Sequence, residues 1–411
     1  MVRVGQRLSS LRSRSPVGVA QLWIVQVRRL CANMNANPKS SNRKKILWVV
    51  VPVVLGALVA TNPFYEPHIP LPVGIAAWFA DLAIVLILSV HPVTARLGIL
   101  ISGLFFAVPC FLWASSLSRG MLMCCMGFPF TIAAAPLFAP RTADFRRRLA
   151  YFFTWMGMRK IERRIRSFDI VSLFRLIIST VVFAVGLACI KTVSAVGLWL
   201  LVRWLGGGIT IFAFAEMVTA SHDLLTTLMG IKAPALMRSP FLSTSVAEFW
   251  AKRWNVAASE LGFRPLCFTP LARHGIVLAL FAAFFASAVA HMLLVYTAMG
   301  RWRISIICGA FFVVQPLLIL AERGMKVRCW STTAARVWAL VALGVTSPLF
   351  VEPAIQLIAP SLSATDNVLL PTIAMLGFAV IVNVFFSMGQ LVFCLRFMPP
   401  NAALKPTATA P

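Results

Sequence analysis

The chain has 411 residues, of which 60% are hydrophobic and only 12% are charged, and its mean hydropathy is +0.86. Soluble domains carry roughly 25% charged residues, so this composition excludes one soluble core and indicates a membrane protein. A net charge of +26 is also typical of proteins that bind nucleic acid. No basic domain with stacking aromatics lies outside the apolar runs, however, and we expect no nucleic-acid partner. Basic cytoplasmic loops beside anionic lipid headgroups account for the charge.

The nine cysteines are scattered along the chain and include no CxxC pair. Their number is odd, and most of them lie within apolar runs. They are therefore interpreted as small buried hydrophobic residues, and we expect neither a disulfide framework nor a metal site.

The first 45 residues are polar and basic, and we expect this segment to be disordered. Met34 begins the stretch MNANPKSSNRKKILWVV, which has a short polar head, a basic cluster and then an apolar run. We therefore expect the true start of the protein to be Met34. A peptide from residues 4–30 found by N-terminal mass spectrometry would contradict this.

Long apolar runs predict an all-α polytopic protein with about ten transmembrane helices, because the runs are continuous and do not alternate as barrel strands do. If the N-terminus is cytoplasmic, the cytoplasmic segments from Met34 onward hold 26 Lys and Arg and the opposite side holds four. This asymmetry predicts that both termini are cytoplasmic. The predicted spans are 46–61, 70–90, 97–117, 121–139, 170–190, 193–215, 275–299, 303–322, 336–358 and 368–395.

The chain divides into N-terminal transmembrane helices at 46–139, a basic loop at 140–169, a helical core at 170–395 and a tail at 396–411. The loop at 140–169 mixes Arg with Phe, Tyr and Trp at near-helical spacing, which predicts an amphipathic helix on the membrane surface. A second interpretation is that this loop attracts an anionic co-substrate such as coenzyme A. No internal repeat is visible, so the inverted repeats typical of many transporters are absent by inspection.

The stretch SVAEFWAKRWN is a polar and aromatic island between apolar runs. Ser245 and Glu248 form a capping-box pattern, which predicts a helix that begins at Val246, and Gly262 with Pro265 would end it. The simplest interpretation is an interfacial amphipathic helix with Trp at headgroup depth. That interpretation leaves Asn255 unexplained, since an amide beside an apolar face needs hydrogen-bond partners or is there to offer them.

His291 lies deep in the apolar run GIVLALFAAFFASAVAHMLLVYTAMG. An ionisable side chain at that depth is costly and is a functional candidate, although a histidine bonded to a neighbouring helix is the alternative. Ser287 and Ala288, one turn earlier, are small and allow close approach of a helix or a substrate. Other polar groups in or near spans carry less weight: Asp81, Glu216, the adjacent pair His222 and Asp223, Glu322 (read as the end of a span) and Glu352.

The two stretches together resemble the wax synthase branch of the membrane-bound O-acyltransferase (MBOAT) family. In that branch a Ser-x-x-x-Phe-Trp-x-x-Arg-Trp-Asn/His line precedes a span with a histidine in a Phe-x-x-Ser-Gly-x-x-His context, and the resemblance covers roughly 215–355. The sequence departs from the pattern at Ala288, where the family has Gly, and at Met292, where plant members tend to have Glu. The matching residues are Ser245, Phe249, Trp250, Arg253, Trp254, Asn255, Ser287 and His291.

The resemblance implies transfer of an acyl group, expected to be long-chain, from acyl-CoA to an alcohol or another lipid-like hydroxyl. A neutral buried His291 suits the role of general base, and Asn255 either donates to the oxyanion or orients the histidine or the acceptor. Substrate contacts are predicted for Trp250, Arg253, Trp254 and Ser287, in a reaction chamber within the helix bundle. Lys252, Arg253 and the 140–169 loop could neutralise the CoA phosphates at its mouth.

We expect acyl-CoA as co-substrate, membrane lipids as surroundings, and no further cofactor or metal. The location expected is the inner membrane of a bacterium or the endoplasmic reticulum of a eukaryote. Acyl chain length, acceptor identity and oligomeric state stay open. The alternative function is that of a non-catalytic membrane protein or transporter whose histidine is structural or part of a proton path.

Overall fold

The computed structural model describes residues 69–88, 92–138, 162–163, 167–193, 196–232, 235–256, 259, 263–264, 267–365 and 367–397. The basic N-terminal segment, the predicted span at 46–61, most of the loop at 140–169 and the tail beyond residue 397 lie outside these ranges. The described part is mostly helical. Its helices are α1 Leu71–Leu88, α2 Pro92–Phe105, α3 Ser116–Phe138, α4 Ile170–Thr192, α5 Trp199–Leu228, α6 Val246–Glu248, α7 Thr269–Ala272, α8 Ile276–Met299, α9 Trp302–Gly324, α10 Thr332–Thr346, α11 Pro348–Ser363 and α12 Leu369–Phe397.

Only two-residue strands accompany these helices in the described residues. Strand β1, Ile69–Pro70, pairs in parallel with β2, Leu112–Trp113. Strand β3, Glu162–Arg163, pairs antiparallel with β4, Ile231–Lys232. The second pair joins the end of the basic loop to the chain that leaves α5.

Six of the described helices are long and apolar enough to cross a membrane: α1, α4, α5, α8, α9 and residues 369–391 of α12. Helices α10 and α11 meet at a 49° bend and make a seventh if they form one span, and Pro348 begins the second helix of that pair. The chain is therefore an integral, multi-pass membrane protein, while the predicted count of about ten spans is not confirmed. The span predicted at 97–117 is broken, because α2 ends at Phe105.

The outer surface of the described helices is strongly apolar, as lipid contact requires. Ile87, Val345 and Ile381 are 71%, 75% and 70% exposed. Polar side chains such as Gln315 and Gln390 are instead fully buried. Since a soluble protein would place its polar groups outside, this distribution agrees with helices that face lipid and enclose their polar groups.

One part of the bundle is built from α4, α5, α11 and α12. Their buried core includes Phe183, Leu187, Met217 and Ile355. Gly207 of α5 allows the close approach of α11, because a Cβ there would lie 2.7 Å from the Ile355 side chain. Small residues at such crossings let transmembrane helices pack by van der Waals contact.

A second part of the bundle holds the candidate site. Helices α8 and α9 pack side by side, and α10, α11 and the short helix α6 pack against α9. The buried residues at these contacts form two apolar clusters that share Trp250 and Phe284. The geometry of the site therefore depends on α9, which packs against α6, α8, α10 and α11.

Candidate active site

The polar and aromatic segment begins with the predicted cap. The Ser245 hydroxyl accepts a hydrogen bond from the Glu248 backbone N–H at 2.9 Å, and α6 starts at Val246. The Glu248 carboxylate accepts from the N–H and the hydroxyl of Thr244, both at 2.8 Å. The start predicted at Val246 is therefore confirmed, although the carboxylate reaches one residue further back than a capping box requires.

The predicted helix is interrupted at Trp254 and Asn255, and most of its predicted remainder up to residue 261 lies outside the described residues. The helix widens to a π-turn over Phe249–Arg253, which the Trp254 N–H closes by donating to the Phe249 carbonyl at 2.8 Å. Asn255 then has a left-handed backbone with φ 40°. The helix is interrupted where its backbone pairs with residues 236–238. The Arg238 N–H donates to the Arg253 carbonyl, and the Val256 N–H donates to the Leu236 carbonyl, both at 2.9 Å.

Arg253 braces this segment from within. Its Nε and Nη2 both lie 2.8 Å from Glu248 Oε1, and Nη1 donates to the Arg238 carbonyl at 3.2 Å and the Ser239 carbonyl at 3.3 Å. Burial raises the pKa of Glu248, but the hydrogen bonds from Thr244 and Arg253 outweigh it, so the pKa is lowered. The guanidinium thus holds the π-turn closed, while the neighbouring Lys252 is exposed.

Trp250 packs among side chains of α8 and α9, a set of contacts that the amphipathic-helix interpretation does not predict. Its indole N–H donates to Gln315 Oε1 of α9 at 3.1 Å. Its ring meets Phe284, Phe311 and Phe312 with ring centroids 5.8–5.9 Å apart. Trp254 is the other indole of the segment, and it stacks on Phe249 at 5.4 Å.

His291 lies between α8, α9 and α11. Its Nδ1 is 2.8 Å from the Ser287 carbonyl and 3.5 Å from the Ser287 hydroxyl. Because a carbonyl only accepts, the closer contact places the proton of the neutral ring on Nδ1 and leaves a lone pair on Nε2. The ring stacks on Phe312 at 4.1 Å and meets the edge of Phe350 at 5.7 Å.

The two departures from the family pattern both lie at the contact between α8 and α9. Ala288 is fully buried. Met292 packs on Gly309 of α9, where a Cβ would come within 2.5 Å of the methionine sulfur. Where a glutamate would put a carboxylate beside the histidine, this chain has an apolar helix contact. In the described contacts, Nδ1 is therefore oriented by Ser287, through its carbonyl and its hydroxyl.

The described contacts bring only some of the predicted site residues together. His291, Ser287 and Trp250 meet around Phe312, whose ring touches both the imidazole and the indole. Asn255 lies on the exposed turn that ends the segment, where its N–H donates to the Met237 sulfur at 3.2 Å and its carbonyl accepts from Ser259. The turn supplies a backbone reason for asparagine there, since Asn tolerates the left-handed region better than most residues.

Sequence reasoning missed two polar groups of α9. Gln315 is fully buried and was not singled out, although a polar side chain inside an apolar run is a usable signal. Glu322 lies at the end of α9, as the predicted span end requires. The sequence did not show that it is buried, or that its carboxylate accepts from the backbone N–H groups of Val246 and Ala247 and from the Trp338 indole.

Comparison with known proteins agrees with the resemblance seen in the sequence. Residues 233–314 match the family described as "Membrane bound O-acyl transferase family", which confirms the predicted resemblance for that segment. The match contains Trp250, Asn255 and His291. It begins just after β4 and ends within α9, so it covers the segment 245–254, all of α8 and residues 302–314 of α9.

Three curated relatives come from Arabidopsis thaliana. "Probable long-chain-alcohol O-fatty-acyltransferase 7" is 26% identical over 138 residues, which are 30% of this chain and 39% of the relative. "Probable long-chain-alcohol O-fatty-acyltransferase 2" is 26% identical over 140 residues, 31% of this chain and 39% of the relative. "Acyl-CoA--sterol O-acyltransferase 1" is 24% identical over 123 residues, 28% of this chain and 35% of the relative. The chain thus spans about two fifths of the length of these relatives.

Proposed function

We propose that this chain, whose residues 233–314 match the membrane-bound O-acyltransferases, moves an acyl group from acyl-CoA to the hydroxyl of a lipid-like acceptor. The observation that carries the proposal is the state of His291. Its Nδ1 is tied to the Ser287 carbonyl, which leaves Nε2 to accept a proton among aromatic side chains within a membrane span.

The reaction proposed is a direct transfer. The acceptor oxygen attacks the thioester carbonyl carbon while its proton passes to Nε2 of His291. The tetrahedral intermediate then collapses, the C–S bond breaks, and the CoA thiolate takes the proton from the imidazolium. The Ser287 carbonyl stabilises the imidazolium through Nδ1–H in the interval, so one residue serves as base and then as acid.

The remaining site residues are proposed to act around this step. Asn255 keeps the two roles inferred from the sequence, as a donor to the oxyanion or as a group that orients the histidine or the acceptor. Trp250 and Trp254 would wall the substrate, and Ser287 would orient the histidine. Arg253 already binds Glu248 and two carbonyls, so the exposed Lys252 is the better placed of the two cations to meet CoA phosphates.

The acceptor proposed is a long-chain alcohol, after the relatives that carry that name, with a sterol as the competing acceptor. The reaction chamber is proposed between α8, α9 and α11, open toward the cytoplasm for acyl-CoA and toward the bilayer for the acceptor. The span predicted at 46–61, outside the described residues, would add one more to the six or seven described spans.

The test is ester formation by the purified full-length chain in lipid nanodiscs, with radiolabelled palmitoyl-CoA and hexadecanol or a 3β-hydroxysterol as acceptors. We expect a labelled wax ester from hexadecanol. His291→Ala should reduce its rate by roughly 10²–10⁴-fold, the range for a general base. His274→Ala is the matched control, since this exposed histidine lies before α8.

Three results would decide against parts of the proposal. If an ester forms from the sterol and not from hexadecanol, the proposed long-chain-alcohol acceptor is wrong and the acceptor is a sterol. Full activity of folded His291→Ala would remove the histidine from the chemistry. No ester from any alcohol offered would favour the alternative of a non-catalytic membrane protein or transporter.

A further inference from the structure

One buried face of α9 contacts three parts of the candidate site: the imidazole of His291, the indole of Trp250 and the start of α6. Phe312, Gln315 and Glu322 are three and seven residues apart, so they lie along one side of the helix. Phe312 stacks on His291, Gln315 accepts from the Trp250 indole, and Glu322 accepts from the start of α6. The face therefore links the histidine on α8 to both ends of the helical turn that carries Trp250.

Glu322 is bound by three donors from two other elements. Its Oε1 accepts from the Val246 N–H and, at 3.1 Å, from the Trp338 indole of α10, and its Oε2 accepts from the Ala247 N–H at 3.2 Å. The first N–H groups of a helix have no partner within the helix and carry its positive end. A carboxylate that meets them makes charge-assisted hydrogen bonds, which are shorter and stronger than neutral ones.

Gln315 holds the next point of the same segment. Its carbonyl oxygen accepts from Trp250 Nε1, and its amide nitrogen donates to the Phe311 carbonyl at 3.1 Å and to the Thr346 hydroxyl at 3.4 Å. The two N–H groups of this fully buried amide therefore donate to α9 and α10, and its oxygen faces the indole. A fixed indole in turn fixes Phe312, which lies between Trp250 and His291.

We propose that Glu322 and Gln315 are positioning residues for acyl transfer, which hold the segment 245–254 against the helix of His291. The proposal rests on the proposed function, since it assigns these two residues to the same site. Neither side chain touches the imidazole; both act through the segment and Phe312. Loss of either anchor should misplace the site by a fraction of a helical turn while the bundle stays folded.

The first test compares two carboxylates that both accept from an indole. Glu322→Gln keeps the shape of the side chain but turns a donor toward the Ala247 N–H. We expect faster amide hydrogen exchange in a peptide covering 243–250, and a kcat for ester formation lowered by about 10- to 100-fold with little change in KM, as for a small misplacement of reacting groups. Glu352→Gln is the matched control, because Glu352 accepts from the Trp204 indole at 2.9 Å, on the side of α5.

The second test separates the two partners of the Gln315 amide. Gln315→Leu removes the acceptor of the Trp250 N–H, and Thr346→Val removes only the hydroxyl on its other side. With 5-fluorotryptophan incorporated, the ¹⁹F signal that is missing in Trp250→Phe should shift in Gln315→Leu and stay in place in Thr346→Val. Ester formation should fall about 10-fold in the first variant and stay near wild type in the second.

Several outcomes would overturn the assignment. Unchanged exchange at 243–250 in Glu322→Gln would show that this carboxylate does not hold the segment. If Glu322→Gln and Glu352→Gln lose the same amount of activity, both carboxylates support the fold in general and Glu322 has no special role at the site. The exchange and ¹⁹F measurements need no turnover, so a wild-type chain that forms no ester would refute the proposed function while these two readouts still decide whether the anchors exist.

Discussion

Among the described residues, two histidines lie within apolar helices, and their surroundings differ. His291 on α8 is half-buried, is bonded at Nδ1 to a carbonyl of its own helix, and is stacked between aromatic rings. His222 on α5 is 1% exposed. Its Nε2 lies 3.3 Å from the Gln390 amide nitrogen of α12, and its Nδ1 lies 3.6 Å from the Asp223 carboxylate.

The surroundings of His222 form an ionic network and not an aromatic wall. Arg175 of α4 contacts Glu216 at 2.7 Å and Asp223 at 2.9 Å. The carboxylate beside His222 is therefore already bound by a guanidinium. Nε2 of the histidine faces the Gln390 amide, whereas its buried Nδ1 has no hydrogen-bond partner among the described residues. Asn383 of α12 also ties α12 to α5 by donating to the Val218 carbonyl and the Ser221 hydroxyl.

The difference shows what separates a histidine that can serve as a general base from one that joins helices. In the sequence, His222 and Asp223 are adjacent as in a dyad, but neighbouring residues of a helix point about 100° apart, and His291 has no acidic neighbour. In the structure, His222 is 1% exposed within a bridge between α4, α5 and α12, whereas His291 is half-buried and has no described hydrogen bond at Nε2. A base needs an accepting atom that a substrate can reach, and a neighbouring carboxylate in the sequence does not provide one.

The largest expected effect tests this comparison directly. His222→Ala removes a buried ring and leaves Gln390 without its partner, so we expect the free energy of unfolding to fall by roughly 2–4 kcal/mol. Ester formation per folded molecule should stay close to wild type. Heat unfolding followed by circular dichroism, together with the ester assay on the folded fraction, measures both quantities.

His291→Ala should show the opposite pattern, with activity lost and the unfolding midpoint little changed. The comparison fails if His222→Ala loses activity as completely as His291→Ala does while its unfolding midpoint is unchanged. In that case the ionic network, and not the aromatic-walled histidine, would be the place to look for the chemistry.

Parts of the site could be predicted because their causes are local in the sequence. Ser245 and Glu248 are three residues apart, so the cap was visible as a pattern. His291 was visible because a long apolar run makes any ionisable residue conspicuous. The spans around α4, α8 and α9 followed from the same runs.

Other parts could not be predicted because their causes come from distant residues. The predicted helix is interrupted after Arg253, where Leu236 and Arg238 pair with the backbone of Arg253 and Val256, and local propensity has no access to that contact. Glu322 reads as a span end, yet it reaches amides 75 and 76 residues earlier in the chain. Tertiary partners of this kind override local patterns, and they account for most of what the sequence left open here.

Asn255 provides a smaller test on the site side of the comparison, because its turn and its amide can be separated. Glycine adopts φ 40° without strain and removes the amide, so Asn255→Gly should leave the unfolding midpoint near wild type. We expect it to lower ester formation by about 10-fold, less than the 10²–10³-fold seen for buried oxyanion donors, because the turn is exposed and water competes.

The companion variant of this test is Asn255→Ala, which also lacks the amide but adds a strain of roughly 1–2 kcal/mol in the left-handed region. It should lower the unfolding midpoint as well as the activity. If Asn255→Gly is fully active while Asn255→Ala is impaired, Asn255 is present for its backbone conformation alone, and its proposed role in the chemistry is wrong.

The smallest expected effect concerns pH and the Glu248–Arg253 ion pair that closes the π-turn. The pKa of Glu248 in the folded chain is lowered from 4.5, since the bonds from Thr244 and Arg253 outweigh burial. A carboxyl with a lowered folded-state pKa stabilises the fold above its unfolded pKa and loses that contribution as the pH falls through the folded value.

Wild type should therefore unfold at a higher temperature than Glu248→Gln at pH 7, by an amount worth about 1 kcal/mol or less, and the difference should shrink below about pH 4.5. A difference that stays constant from pH 7 to about pH 3.5 would mean that the charge of Glu248 does not hold the turn, and the brace would then rest on the carbonyl contacts of Arg253.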